Sequence, residues 1–265
     1  MNSRGGAVFW ALILIVVGAV FLLRNVGLLS VDWGVIWPVL LIVFGGAMLL
    51  GGFARRGEVA TSTQSIPLDG AREARLSIQH GAGQLRVQAA ADPLTLVSST
   101  FDGELRHDVR RDGERADVRL RLEREWWFWM WPWNWGVNSR WELAVNRDVP
   151  LWLDVKTGAS ESRLDLRELK VRELRLDTGA SSLDVELPGS GQITGRIKAG
   201  AATIRIHLPE SMAVRVRANL GAATLNVRGQ RFQWGNNAYQ TPDYETNPNR
   251  VDLDIDGGAA SITIT

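Results

Sequence analysis

The chain has 265 residues, with 30 Lys plus Arg against 29 Asp plus Glu, and no cysteine. The near-neutral balance argues against nucleic acid as a partner. The missing cysteine excludes disulfides, thiolate metal sites and thiol nucleophiles together.

Ala7 to Leu23 is an uncharged apolar run, and Gly34 to Phe53 is a second, slightly longer one. Both suit a membrane helix. A cleaved signal peptide would suit the first run alone, but no small-residue cleavage site follows it, and the second run argues against it. A hairpin buried in a protein core is the other reading. Trp10, Trp33 and Trp37 sit near the expected ends, where indole rings favour the headgroup region. Gly45-Gly46 and Gly51-Gly52 would let two helices approach closely. The prediction is a transmembrane helical hairpin over 1–57, with helices at about 7–23 and 34–53. Arg4, Arg55 and Arg56 at its ends, against Arg24 in its turn, put the rest of the chain in the cytoplasm by the positive-inside tendency.

A polar linker over 58–65 leads to a β domain expected over 66–265. Its first unit is Leu76 and Ile78, then Gly81-Ala82, then Leu85 and Val87. Residues 93–150 read as an insertion that separates this unit from the next, which opens at Gly158. Within it, Asp102-Gly103 and Asp112-Gly113 signal hairpin turns. Trp127, Trp129, Trp131, Trp133 and Trp135 occupy alternate positions, so an extended chain puts all five on one face. Pro132 bars that stretch from a central ladder position. Three readings fit: a cap over the end of the β stack, a loop lying on the bilayer, or an aromatic platform for a glycan or peptide.

The repeat then becomes regular. Gly158-Ala159, Gly179-Ala180, Gly200-Ala201 and Gly221-Ala222 follow one another at equal steps, and Gly258-Ala259 opens an outlying copy. Apolar-x-apolar pairs flank each corner, except that Gly195 leaves a gap beside Ile197. In the looser copy after Gly158 the pair is read as Leu164 and Leu166. Alternation means strands with one buried face. The inward sets on either side of a corner are separated by an odd number of positions, as Ile78 and Leu85 are, so the chain must bend there for both to face one core. Glycine is expected at the bend for its backbone freedom. The fold class is therefore mainly β, a stacked β-repeat of solenoid type, in which thin units share one core. An antiparallel sandwich needs the equal steps to be coincidence. A leucine-rich repeat lacks its Asn or Cys ladder and its helices. Arg228 to Arg250 is a polar excursion, and the chain ends on Ile262 to Thr265, which suggests an exposed edge strand open to self-association.

No chemistry emerges. His80, His107 and His207 fall in no ligand or nucleophile motif, and Asp184, Asp252, Asp254 and Asp256 lie on the polar phase of strands, where solvated carboxylates are expected. Gly189-Ser190-Gly191 lacks the spacing and the following helix of a phosphate loop. No catalytic residue, cofactor or metal is predicted.

Ala11 to Gly52, with Leu22-Leu23-Arg24-Asn25-Val26-Gly27-Leu28-Leu29 and Trp37-Pro38-Val39-Leu40-Leu41-Ile42, resembles the transmembrane region of LiaI- and LiaF-like bacterial proteins. The repeats, above all Leu208 to Val227 and Val251 to Thr265, resemble the toastrack β domain of LiaF-like envelope-stress regulators and adhesin-like proteins. The resemblance implies a non-enzymatic membrane protein, which in LiaF-like members inhibits a sensor kinase. The Trp-rich insertion falls outside that pattern. The expected role is a membrane-anchored regulator or scaffold whose partners are the bilayer and a sensor kinase or other envelope protein. The alternative is an envelope or surface binding module whose Trp-rich loop meets lipid or glycan.

Overall fold

Wherever apolar and polar residues alternate, the chain forms a strand that buries one side. A computed structural model describes residues 61–102, 105–122, 140–228, 232–235 and 238–265. The expected helical hairpin and Trp126 to Trp135 lie outside them.

The strands make two facing ribbons that enclose one core. The first runs β4 (Leu105–Asp112), β5 (Arg115–Leu122), β2 (Glu73–Ala89), β7 (Leu151–Asp165), β8 (Val171–Thr178), β10 (Gln192–Ala199), β16 (Arg250–Gly257), β12 (Ala213–Leu220), β15 (Ala238–Gln240), β14 (Gln233–Gly235). The second runs β1 (Thr61–Pro67), β3 (Thr95–Asp102), β6 (Arg140–Val145), β2, β7, β9 (Ser182–Glu186), β11 (Thr203–His207), β17 (Ser261–Ile264), β13 (Thr224–Val227). Strands β2 and β7 are long enough to serve in both ribbons, turning at their Gly-Ala corners. The repeated units stack in parallel. The added strands β1, β3, β4, β14 and β15 pair antiparallel at the ends.

The odd spacing works as the alternation predicts. Leu76, Ile78, Leu85 and Val87 are all buried, as are Leu174, Leu176, Leu183 and Val185. In the unit after Gly158 the equivalent inward pair is Ser162 and Leu164, which align with Leu183 and Val185, so the pair expected at Leu164 and Leu166 falls one alternation too late. Ser162 is buried, and its hydroxyl meets that of Ser160 at 3.2 Å, which removes the cost of placing an alcohol in the core.

The corner glycines are there for a different reason from the one expected. The left-handed glycines among the described residues are Gly70, Gly83, Gly113 and Gly191, and none of these is the first residue of a Gly-Ala corner. What the corners need is room. A Cβ on Gly158 would lie 2.4 Å from the carbonyl oxygen of Gly81; on Gly179, 3.1 Å from that of Gly158; on Gly200, 3.1 Å from that of Gly179. On Gly258 it would lie 3.2 Å from that of Gly200, and on Gly221 3.3 Å from that of Gly258. Backbone rests on backbone along the whole edge. The corner order is therefore Gly81, Gly158, Gly179, Gly200, Gly258, Gly221, which is not chain order.

Three further expectations are corrected. β1 takes up Thr61 to Pro67, most of which was assigned to the linker. Within the span 93–150, β5 and β6 belong to the stack, running parallel to the two halves of β2 and making a rung beside it. The C-terminal strand is not an edge: β16 lies between β10 and β12, and β17 between β11 and β13. The open edge of the second ribbon is β13, because the last rung inserts one place inside it.

Candidate interaction surfaces

The reason for that insertion is visible on both faces of β16. On the outer face, β10 presents Arg196 and Lys198, β12 presents Arg215 and Arg217, and β16 presents Asp252, Asp254 and Asp256. Packing the rungs in chain order would set Arg196 beside Arg217. The acidic strand separates the two basic ones. Arg215 Nη2 donates to Asp252 Oδ2 at 2.6 Å, Arg217 Nη2 to Asp252 Oδ1 at 3.0 Å and Arg217 Nε to Asp254 Oδ1 at 2.8 Å, with Arg196 Nη2 3.9 Å from Asp254. These carboxylates were expected to be merely solvated. Asp252 instead keeps only 21% of its side chain exposed, between two guanidinium groups. On the inner face, a Cβ on Gly195 would lie 2.4 Å from Leu253 Cδ2. The gap read at Gly195 is the socket for Leu253.

The excursion after β13 returns as the β14–β15 hairpin along β12 and then folds back through Thr241 to Arg250. Thr241 Oγ1 accepts from Val214 N at 3.0 Å, which ties that segment to β12. Tyr244 is buried, its hydroxyl donates to Asp252 Oδ2 at 3.3 Å, and the Arg215 guanidinium stands 4.4 Å from its ring centroid. Burial first, and the Asp252 charge second, push the Tyr244 phenol above its ordinary value of 10.0. Together with Gln192, Thr194 and Arg250 these groups line a polar groove of about 310 Å³. Sequence reasoning missed this network, although three aspartates on alternate positions of one strand were the signal.

The histidines do not converge. His80 is buried at the first corner, 5.0 Å from the ring of Trp141; His107 is exposed on β4. His207 Nδ1 lies 2.9 Å from Thr265 Oγ1, and its Nε2 lies 3.3 Å from Asp184 Oδ1. Among the described residues no group of three or more His, Asp or Glu could hold a metal ion.

Two surfaces stand out. One is the end of the β5–β6 rung: β5 ends at Leu122 and β6 begins at Arg140, beside the point where β2 turns through Gly81-Ala82. Residues 123–139 thus occupy the sequence position of a corner, and the five alternate tryptophans lie in that span outside the described residues. Trp141, just after that span, is fully buried on β6. The other surface is the far end of the stack. There Leu220, Leu225 and Val227 are only half-buried, and Trp234 is 63% exposed, with its ring 4.6 Å from that of Tyr239.

Comparison with known proteins supplies the rest. Residues 55–207 match the family described as the N-terminal domain of toast_rack, DUF2154, and residues 8–49 match the LiaI-LiaF-like transmembrane region. Among solved structures, a Clostridium sporogenes protein named for cell adhesion superposes with a TM-score of 0.62 at 16% identity, over 77% of this chain and 97% of that one. A Parabacteroides merdae protein named as an adhesin aligns over 79% of this chain and 98% of its own, at 9% identity and a TM-score of 0.20. No curated protein matches. The chain belongs to the toast_rack family, its β domain carried behind a LiaI-LiaF-like transmembrane region, and it is a membrane-associated toastrack protein.

Proposed function

We propose that this protein is a regulator or scaffold that works by binding rather than by catalysis, restraining a membrane sensor kinase of the bacterial cell-envelope stress response. The observation that carries this reading is the union, in one chain, of a LiaI-LiaF-like transmembrane region with a toastrack domain. The hairpin crosses twice and leaves the β domain in the cytoplasm, a reading supported by Arg4, Arg55 and Arg56 against the single Arg24. Deleting the chain should raise transcription of envelope-stress genes in unstressed cells, and restoring it should silence them. Unchanged basal transcription would contradict the regulatory role.

A second reading places the β domain outside the cell, with Trp127, Trp129, Trp131, Trp133 and Trp135 meeting lipid or glycan. It is favoured by the sequence between β5 and β6, which sets five tryptophans on alternate positions. Protease added to intact cells distinguishes the two. A protected β domain supports the cytoplasmic reading, and cleavage supports the external one. Replacing Trp129, Trp131 and Trp133 by Ser should weaken liposome binding by residues 58–265 if the segment contacts lipid, and leave it unchanged if the segment is a structural cap.

A further inference from the structure

We propose that β13 is a self-complementary edge through which two copies of this chain pair antiparallel, extending the second ribbon across a two-fold axis at Asn226. Among the described residues β13 pairs with β17 alone. Thr224 N donates to Ala260 O and Arg228 N to Ile264 O, both at 2.8 Å. Strand alternation then turns the peptide groups of Leu225 and Val227 toward the open side. Their side chains point into the end of the core yet stay half-buried, unlike the fully buried Ile262 and Ile264 of the rung beside them.

A second copy fits this edge better than an unrelated strand does. A two-fold axis perpendicular to the ribbon through Asn226 keeps the inner faces of both copies on one side. Leu225 then lies opposite Val227 of the second copy, exchanging both peptide hydrogen bonds, and the reciprocal pair does the same. Each half-buried side chain gains an apolar neighbour across the seam. Asn226 meets its own symmetry mate on the outer face, an uncharged pair without like-charge repulsion. The rest of the molecule protects its other edges as soluble sheets do. β4 carries Asp108, Arg110, Arg111 and Asp112, β14 is confined to Gln233–Gly235, and β1, uncharged like β13, is polar up to Gln64-Ser65 and ends on Pro67. The edge Thr224–Val227 carries no charge at all.

The chain has no cysteine, so a single introduced thiol reports cleanly. In such a pair the two Asn226 Cα atoms would sit about 4.5 Å apart, within disulfide reach. Full-length protein in detergent carrying N226C should convert largely to a covalent dimer under mild oxidation, whereas D108C, exposed on the charged β4 edge, should stay monomeric. N226K should abolish the dimer measured by light scattering while leaving the far-ultraviolet β signal unchanged. Cross-linking of N226C no greater than that of D108C would overturn the proposal, and T224C cross-linking as readily as N226C would overturn its register.

Discussion

Two regions of the stack are built from the same unit and ordered by different rules. From β7 through β8 and β9 to β10 and β11, rungs follow one another in chain order, each corner glycine resting on the one before it. In the last third the order breaks, because the C-terminal rung enters between two earlier ones. Periodicity determines what a rung is. Complementarity between neighbours determines where it goes: an acidic strand between basic strands, and a leucine opposite a glycine.

The comparison is sharpest at Leu253. Leu253→Ala should cost about 2–5 kcal/mol, as fully buried leucines do, and Gly195→Ala about 1–3 kcal/mol by overpacking against Leu253 Cδ2. Urea unfolding of the double variant should show less than the sum, with a coupling of about 0.5–3 kcal/mol. Additive losses would mean that the two residues do not touch.

Next in size is the corner stack. Gly158→Ala drives a Cβ against a carbonyl oxygen that cannot rotate away and should cost about 1–3 kcal/mol. Gly81→Ala, the same substitution at the exposed start of the edge, meets nothing within 4 Å and should stay within about 0.5 kcal/mol. Equal losses would return the glycines to a purely conformational role.

A smaller effect follows on the outer face. Asp254→Lys sets three cations abreast with Arg196 and Arg217 and should cost about 1 kcal/mol, less in high salt, because these side chains are partly solvated. The smallest is at Tyr244. Its raised phenol pKa means the folded state holds that proton more tightly than the unfolded chain does. The stability it contributes is whole below pH 10 and is lost as pH rises through the folded value. In a Tyr239→Phe background, which leaves Tyr244 the sole tyrosine, ultraviolet titration should give a midpoint above 10.0. A midpoint at or below that value would remove Tyr244 from the buried Asp252 network.

Much of this was legible from residues alone. Gly-Ala corners at a constant step, with inward pairs at odd separation, point directly to two facing ribbons over one core. Their order was not legible, because a period carries no information about which neighbour a rung prefers. Asp252, Asp254 and Asp256 read as ordinary solvent-side residues until Arg215 and Arg217 stand beside them. Gly195 read as a defect, since its partner Leu253 belongs to the last rung of the chain, with the whole of β11 to β15 between them. The β5–β6 rung escaped notice because no Gly-Ala pair stands in the sequence between its two strands, so the landmark is missing.

The most direct test of rung order uses the absence of native cysteine. Thr194 and Asp252 are register partners on adjacent strands, while Arg215 stands one strand further out. Neighbouring strands lie about 4.8 Å apart, so Thr194 and Arg215 are separated by roughly twice that, beyond disulfide reach. Oxidation should therefore close the disulfide in T194C/D252C and leave T194C/R215C reduced. The opposite outcome, a bridge in T194C/R215C alone, would mean that the rungs pile up in chain order and that the C-terminal rung is not inserted between them.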